Sequence, residues 1–259
     1  MYIHNLDPVI FDFGILSLRW YSLAYLVGII FGWWYGKKII IQINKRHNKD
    51  LNLNIFDDYI TYVIISLIVG GRLGYVFFYN LNYFISKPIE IIFIWNGGMS
   101  FHGGLLGIVV GTIFFSKKKS IEKLVLLDVI SCVAPVGIFL GRIANFINGE
   151  LYGKPTDLPW AVIFPSVDSL GRHPSQIYEA FLEGALLFII LNILIRRILY
   201  KKGECAALFL IFYSIFRVLS EFYREPDLHI GYIFNSVSMG SLLSFFMFGL
   251  GILMYFKIK

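Results

Sequence analysis

The chain has 259 residues, 57% of them hydrophobic and only 15% charged, with a mean hydropathy of +0.69. A soluble domain carries about 25% charged residues, so an ordinary soluble enzyme is excluded and a polytopic membrane protein is expected. The formal net charge of +6 comes from basic residues scattered at loop positions, a pattern that orients a protein in a membrane and does not point to nucleic acid.

The amino-terminal stretch, residues 1–20, has no basic start before its apolar part and no small-residue cleavage site, so it is not expected to be a cleaved signal. Apolar blocks of bilayer-crossing length then predict seven spans, at 18–36, 57–79, 90–115, 121–146, 175–196, 204–223 and 234–256. The expectation is one all-α transmembrane domain over 1–259, with an outer-face cap or loop at about 147–175. Of the 23 Lys and Arg, fifteen fall on one side of such a bundle, among them Lys37, Lys49, Lys117, Lys123, Arg197, Lys202 and Lys259. Lys87, Lys154, Arg172 and Arg224 fall on the other. The positive-inside rule then puts the amino terminus outside and the carboxyl terminus in the cytoplasm. Cys132 and Cys205 form no CxxC pattern and are read as small packing residues.

Polar groups interrupt the apolar blocks at particular places. Trp95 to Gly107, "WNGGMSFHGGLLG", holds five glycines and His102. Such a stretch suits a broken or re-entrant backbone, tolerated in a membrane only inside protein or beside a wet cavity. Gly141 to Gly153, "GRIANFINGELYG", ends the fourth span, and Tyr213 to Asp227, "YSIFRVLSEFYREPD", ends the sixth. Tyr213, Arg217, Glu221 and Arg224 recur at helical spacing and share one stripe. By topology these segments, together with Tyr21, Arg72 and residues 173–178, approach the outer leaflet.

Charges inside a membrane are costly and mark function by default. Guanidinium groups bind phosphate bidentately, and a histidine can move protons near neutrality. Arg142, Arg217 and His102 therefore read as a phospholipid headgroup site with proton-transfer capacity. Each member also has a bland reading: helix-end arginines paired with Glu150 or Glu221, interfacial tyrosines, a packing histidine. An anionic-lipid transporter and a lipid-binding scaffold use the same residue types. Against these stand the lack of related halves and the cost of buried charge. No lipase elbow, zincin, P-loop or metal-ligand pattern is present, and no cofactor or metal is expected.

The motifs resemble those of the phosphatidylglycerol–prolipoprotein diacylglyceryl transferases. Gly141 to Gly153 is similar to that family's signature, and "DPVIF" at 7–11, "RWYSLAYLVG" at 19–28, "GGRLGYVFFYN" at 70–80, "GGMSFHGGLLG" at 97–107, "RHPSQIYEA" at 172–180 and "FRVLSEFYREPD" at 216–227 follow in its order. The resemblance implies a multi-pass enzyme of the bacterial inner membrane whose active site faces the periplasm. It would transfer the sn-1,2-diacylglyceryl group of phosphatidylglycerol to the lipobox cysteine of a prolipoprotein, forming a thioether and releasing glycerol 1-phosphate. Arg142 and Arg217 resemble the arginines that hold the phosphate. His102 resembles the histidine that helps deprotonate the thiol, its alternative being a structural hydrogen-bonder. Tyr21, Asn145, Glu150, Gly153 and Tyr213 resemble further functional positions, and Arg72 and Glu221 fall in the motifs as substrate-binding candidates. The expected partners are phosphatidylglycerol, prolipoprotein signal peptides and membrane lipid, and a monomer is expected.

Overall fold

A computed structural model describes residues 1–259 apart from 15–16, 48–50, 198–200, 227–230, 232, 234–236 and 259; for Arg46, His47, Asn96 and Arg197 it describes the backbone alone. Lys49, Lys259 and Asp227, which entered the charge and motif readings, lie outside the described residues. The chain forms two compact units. Among the described residues one holds 1–36, 128–226 and those from 231 on, the other 37–127. Helices α1 (Trp20–His47) and α5 (Lys123–Asn148) each contribute to both.

In the smaller unit, α2 (Leu53–Tyr79) packs on α4 (Phe101–Lys119). Their interface is built from glycine. A methyl group on Gly103 would come within 2.5 Å of the Gly70 carbonyl oxygen and 2.6 Å of the Gly74 Cα, and one on Gly107 within 2.1 Å of the Ser66 carbonyl oxygen. Helices that meet through such residues gain backbone-to-backbone van der Waals contact, the main attraction left where lipid is as apolar as leucine. Polar ties also cross the interface: the Tyr59 hydroxyl lies 2.7 Å from the Thr112 hydroxyl, and Lys119 pairs with Asp58 at 2.7 Å.

Between these helices the chain runs through short α3 (Leu81–Ser86) and two 3-10 turns, Pro88–Ile92 and Ile94–Asn96. The span expected over 90–115 is thus shorter than hydropathy suggested. Its helix starts only at Phe101, because Gly97 and Gly98 take positive φ values of 82° and 78°, a conformation glycine adopts without strain. Ser100 then caps α4 by accepting from the Gly103 N–H. The apolar residues Ile89, Ile92 and Trp95 are exposed in the turns and do not continue a helix.

The larger unit contains a helix of mixed winding from Ser175 to Arg197: α6 (Ser175–Glu179), a π-helical stretch (Ala180–Leu186) and α7 (Leu187–Arg197). It also contains α8 (Glu204–Glu221) and α9 (Met239–Ile258), which pack on each other. Buried Asp128 on α5 accepts from the Gly203 and Ala206 N–H groups at 2.6 and 2.8 Å, so α5 supplies the cap of α8. Short strands accompany the helices of this all-α framework. β1 (Tyr2–Ile3), β4 (Val162–Ile163) and β5 (Gly171–Arg172) make a three-stranded sheet, and β2 (Val9–Asp12) pairs with β3 (Ser17–Arg19). Residues 149–174 carry two of these strands.

Among the described residues five helical segments are long and apolar enough to cross a membrane: Trp20–Lys45, Leu53–Tyr79, Lys123–Asn148, Ser175–Arg196 and Met239–Ile258. The other two expected spans fall on the helices α4 and α8, which are outside this group. Lysines end the first, and Glu204, Arg217 and Glu221 interrupt the second.

The glycine interface predicts a graded response to added methyl groups. Gly103→Ala is expected to destabilise the protein by roughly 1–3 kcal/mol through overpacking. Gly249→Ala, where nothing lies within 4 Å, is expected to leave the melting temperature unchanged or raised. Thermal unfolding in detergent compares the two.

Candidate active site

Three helices of the larger unit bring six charged side chains into one buried cluster. Arg142 comes from α5, Glu179 and Glu183 from one turn of the Ser175–Arg197 helix, Arg217 and Glu221 from the last turn of α8, and Arg224 from just beyond it. Arg142 Nη1 lies 2.9 Å from Glu179 Oε2, and its Nη2 donates to Glu183 Oε2 at 3.0 Å. Arg217 Nη1 lies 3.0 Å from Glu179 Oε1 and 3.5 Å from Glu183 Oε1, while its Nη2 donates to Glu221. Arg224 Nη1 lies 3.3 Å from Glu179 Oε1. Glu179 therefore touches all three arginines, and its side chain is fully buried.

The fold brings these charges together by close helix approach. A methyl group on Gly184 would lie 2.6 Å from Phe139 Cβ and 2.8 Å from its Cα, so glycine lets the π-helical stretch lie against α5. Glu183 and Arg142 flank that contact in sequence and meet across it. π-helical turns inside α-helices occur often at functional sites. Three guanidiniums and three carboxylates balance in formal charge. Buried charges need that balance, because an uncompensated one costs several kcal/mol.

The sequence-derived candidates fall into several groups. Arg142, Arg217 and Glu221 are brought together in this cluster. Of the bland alternatives that paired these arginines with Glu150 or Glu221, Arg217 takes Glu221, whereas the carboxylate partners of Arg142 are Glu179 and Glu183. Tyr213, on the same helix as Arg217 and one turn earlier, is fully buried and stacks on Phe209. Glu150 instead organises the end of α5. It accepts from Asn145 at 2.7 Å and Asn148 at 3.3 Å, and its carbonyl accepts from buried Gln176 at 2.6 Å. Tyr21 opens α1 with its ring 5.1 Å from that of Tyr25.

Gly153 serves backbone approach. A methyl there would lie 2.4 Å from the His173 carbonyl oxygen and 2.6 Å from that of Tyr223. Its N–H donates to the His173 carbonyl, and its own carbonyl accepts from Arg172. Glycine at 153 thus lets residues 153–155 lie between the 171–173 strand and the segment that carries Arg224. Arg172 also holds Asp168, at 3.2 Å from Nε and 2.5 Å from Nη2, and this keeps the Asp168 carboxyl below the usual carboxylate range.

Arg72 and His102 lie in the smaller unit. Arg72 is buried, and all its N–H positions address main-chain carbonyls. Nε donates to Ile91, Nη1 to Gly97 and Gly98, and Nη2 to Glu90 and Phe93, at 2.5–3.3 Å. The guanidinium also lies 4.9 Å from the centre of the Phe84 ring. Its geometry is that of a scaffold for the 90–98 turns. His102 sits in the first turn of α4, buried, with its ring edge-on to Phe101.

Sequence reasoning missed Glu179 and Glu183 as site residues. The signal was present: two carboxylates four residues apart inside the apolar span 175–196 are as anomalous as the arginines. Among the described residues no group of His, Cys, Asp and Glu is arranged to hold a metal ion.

Comparison with known proteins adds a lineage. Residues 8–257 match the family model described as prolipoprotein diacylglyceryl transferase. Proteins named phosphatidylglycerol–prolipoprotein diacylglyceryl transferase are similar over nearly their whole length. That of Ehrlichia canis (strain Jake) is 50% identical over 250 residues, covering 95% of this chain and 94% of the relative. That of Rickettsia bellii (strain OSU 85-389) is 48% identical over 259 residues, covering 98% and 95%. That of Methylocella silvestris is 46% identical over 243 residues, covering 92% and 89%.

Two outcomes are expected from this geometry. Glu179→Gln leaves the arginines short of a shared carboxylate and is expected to cost about 3–5 kcal/mol, the range for breaking a buried ion pair from one side; chemical unfolding in detergent reads it. The Asp168–Arg172 pair acts in the opposite direction to acid. Because the folded-state carboxyl titrates below its ordinary value of 3.8, the pair stabilises above that value and loses its contribution as pH falls through the folded value. The melting-temperature gap between wild type and Asp168→Asn should be widest near about pH 6 and close toward about pH 3.

Proposed function

Since the chain belongs to the prolipoprotein diacylglyceryl transferase family, we propose that it moves the sn-1,2-diacylglyceryl group of phosphatidylglycerol onto the lipobox cysteine of bacterial prolipoproteins, the first step of their maturation. The observation that carries the chemical reading is the Arg142–Arg217 pair, fixed by shared buried carboxylates near the ends of two helices. Arg142 and Arg217 hold the lipid phosphate. The thiolate sulfur attacks the glycerol carbon that bears the phosphate. The C–O bond breaks, its electrons go to the phosphate oxygen, and glycerol 1-phosphate leaves. The arginines are already oriented, so stabilising the departing phosphate needs little reorganisation.

The nucleophile belongs to the substrate. Cys132 and Cys205 are buried and have no part in this reaction. Only a thiolate attacks well, and a free cysteine titrates near about 8.5, so a proton must be removed at neutral pH. His102 takes it, directly or through water. Tyr21, Asn145, Glu150, Tyr213 and Glu221 shape the same site, Gly153 holds the segments beside it, and Arg72 holds the 90–98 turns.

The protein is a monomer of the inner membrane with seven spans, α4 and α8 joining the five helical segments already long and apolar enough to cross. The amino terminus and active site face the periplasm. The excess of Lys and Arg at alternate loops supports this orientation, and the shielding of the charges on α8 by Glu179 and Glu183 supports its membrane placement.

Purified protein in detergent, given phosphatidylglycerol and a lipobox peptide, should release glycerol phosphate only with the peptide present. The peptide cysteine should gain a diacylglyceryl mass. Arg142→Ala, checked for folding, should lose at least about two orders of magnitude in rate, the scale of losing a transition-state donor. Peptide-independent release, or a fully active Arg142→Ala, would count against the assignment. His102→Gln should lower turnover most below about pH 8, where the free thiol is protonated. Equal activity from about pH 6 to about pH 9 would remove His102 from proton transfer.

A further inference from the structure

We propose that Glu221 is a displaceable internal anion, occupying Arg217 until a lipid phosphate takes its place. The inference rests on the reading that Arg217 binds the phosphate, and concerns what Arg217 does before the substrate arrives. Without substrate a buried guanidinium needs a counter-charge. A counter-charge held as firmly as the rest of the cluster would compete with the phosphate permanently. The three carboxylates are not held alike.

Among the described residues Glu179 contacts three arginines and Glu183 two, whereas Glu221 contacts Arg217 alone. Glu179 and Glu183 are fully enclosed, while the Glu221 side chain keeps 8% exposure. Glu221 is also the last residue of α8, followed by exposed Phe222 and Tyr223. A carboxylate at a helix carboxyl end opposes the helix dipole, so Arg217 is what favours it there. The two residues are four apart on one helix, and side-chain rotation parts them without moving the backbone.

The first turn of α9 covers the pair. A methyl group on Gly240 would lie 2.6 Å from Glu221 Oε1 and 3.1 Å from Arg217 Nη2. The pair is thus roofed by bare backbone, and Glu221 stands at the end of α8. When a phosphodiester reaches Arg217, Glu221 swings toward that end. Glu179 and Glu183 stay and keep the guanidinium aimed. One negative charge replaces another, so the arginine is neither left uncompensated nor overloaded. Glu221 thereby sets phospholipid affinity, and after release of glycerol phosphate it returns to Arg217.

The test measures binding of dioleoyl phosphatidylglycerol to the full-length protein in maltoside micelles, without peptide, by native mass spectrometry. Glu221→Gln removes the competing charge and keeps the shape. It should bind the lipid at least about threefold tighter than wild type. Glu221→Asp, shorter by one methylene, should fall between them and serves as the test if Glu221→Gln does not fold. Arg217→Gln should bind at least about tenfold more weakly. If Arg217→Gln weakens binding but neither Glu221 variant tightens it, the exchange is wrong and the phosphate reading stands. If Arg217→Gln binds like wild type, the phosphate reading itself fails. Difference infrared spectra give a readout that a merely structural glutamate would not move. Adding the lipid should perturb a carboxylate band in wild type that is missing in Glu221→Gln, and an unperturbed band in wild type would overturn the proposal.

Discussion

Burying an arginine in a lipid-facing bundle is tolerable only when a carboxylate is buried with it. In this protein that requirement fixes the arrangement of three helices. Glu179 lies within 3.3 Å of guanidinium nitrogens from Arg142, Arg217 and Arg224, so α5, the Ser175–Arg197 helix and the end of α8 meet where it sits. Other features of the larger unit serve the same junction. Gly184 lets the helix lie against α5, and Gly153 brings the cap strand against the segment that carries Arg224. Asp128 sets the start of α8 from the same helix that supplies Arg142.

The arrangement also suits a reaction whose leaving group is a phosphate. Arginines arranged only by lipid and water would have to reorganise as charge develops. Arginines braced by carboxylates that touch two or three of them at once are already aimed. The cost is competition between internal and substrate anions. It is smallest where the internal carboxylate has a single partner and lies at a helix end, as Glu221 does.

Much of the helical layout was legible in the sequence, because apolar runs of about 20 residues have few structural alternatives. Arg142 and Arg217 were legible for the complementary reason, that charge in such a run is too costly to be incidental. Glu221, at the outer end of a span, was legible as a partner and pairs with Arg217; Glu179 and Glu183, inside a span, were not, although they broke the same rule. Hydropathy also ran the third span back to residue 90, since isoleucines in a 3-10 turn score as well as isoleucines in a helix. Pro88 and the Gly97–Gly98 pair held the contrary information. The use of Arg72 could not be read at all. Five carbonyls converge on it only after the turns have formed, and carbonyls carry no sequence signature.

That last feature bears on how the 90–98 segment can change over time. Its shape is held by main-chain oxygens of Glu90, Ile91, Phe93, Gly97 and Gly98 gathered on a single guanidinium. Main-chain oxygens belong to every amino acid. Substitutions at Ile91 or Phe93 leave the ring of acceptors intact, whereas one inserted or deleted residue would shift several carbonyls out of reach together. Divergence here should therefore conserve spacing more strictly than identity. A lysine could not replace the hub, since its three N–H groups on a single nitrogen cannot span a fork of five.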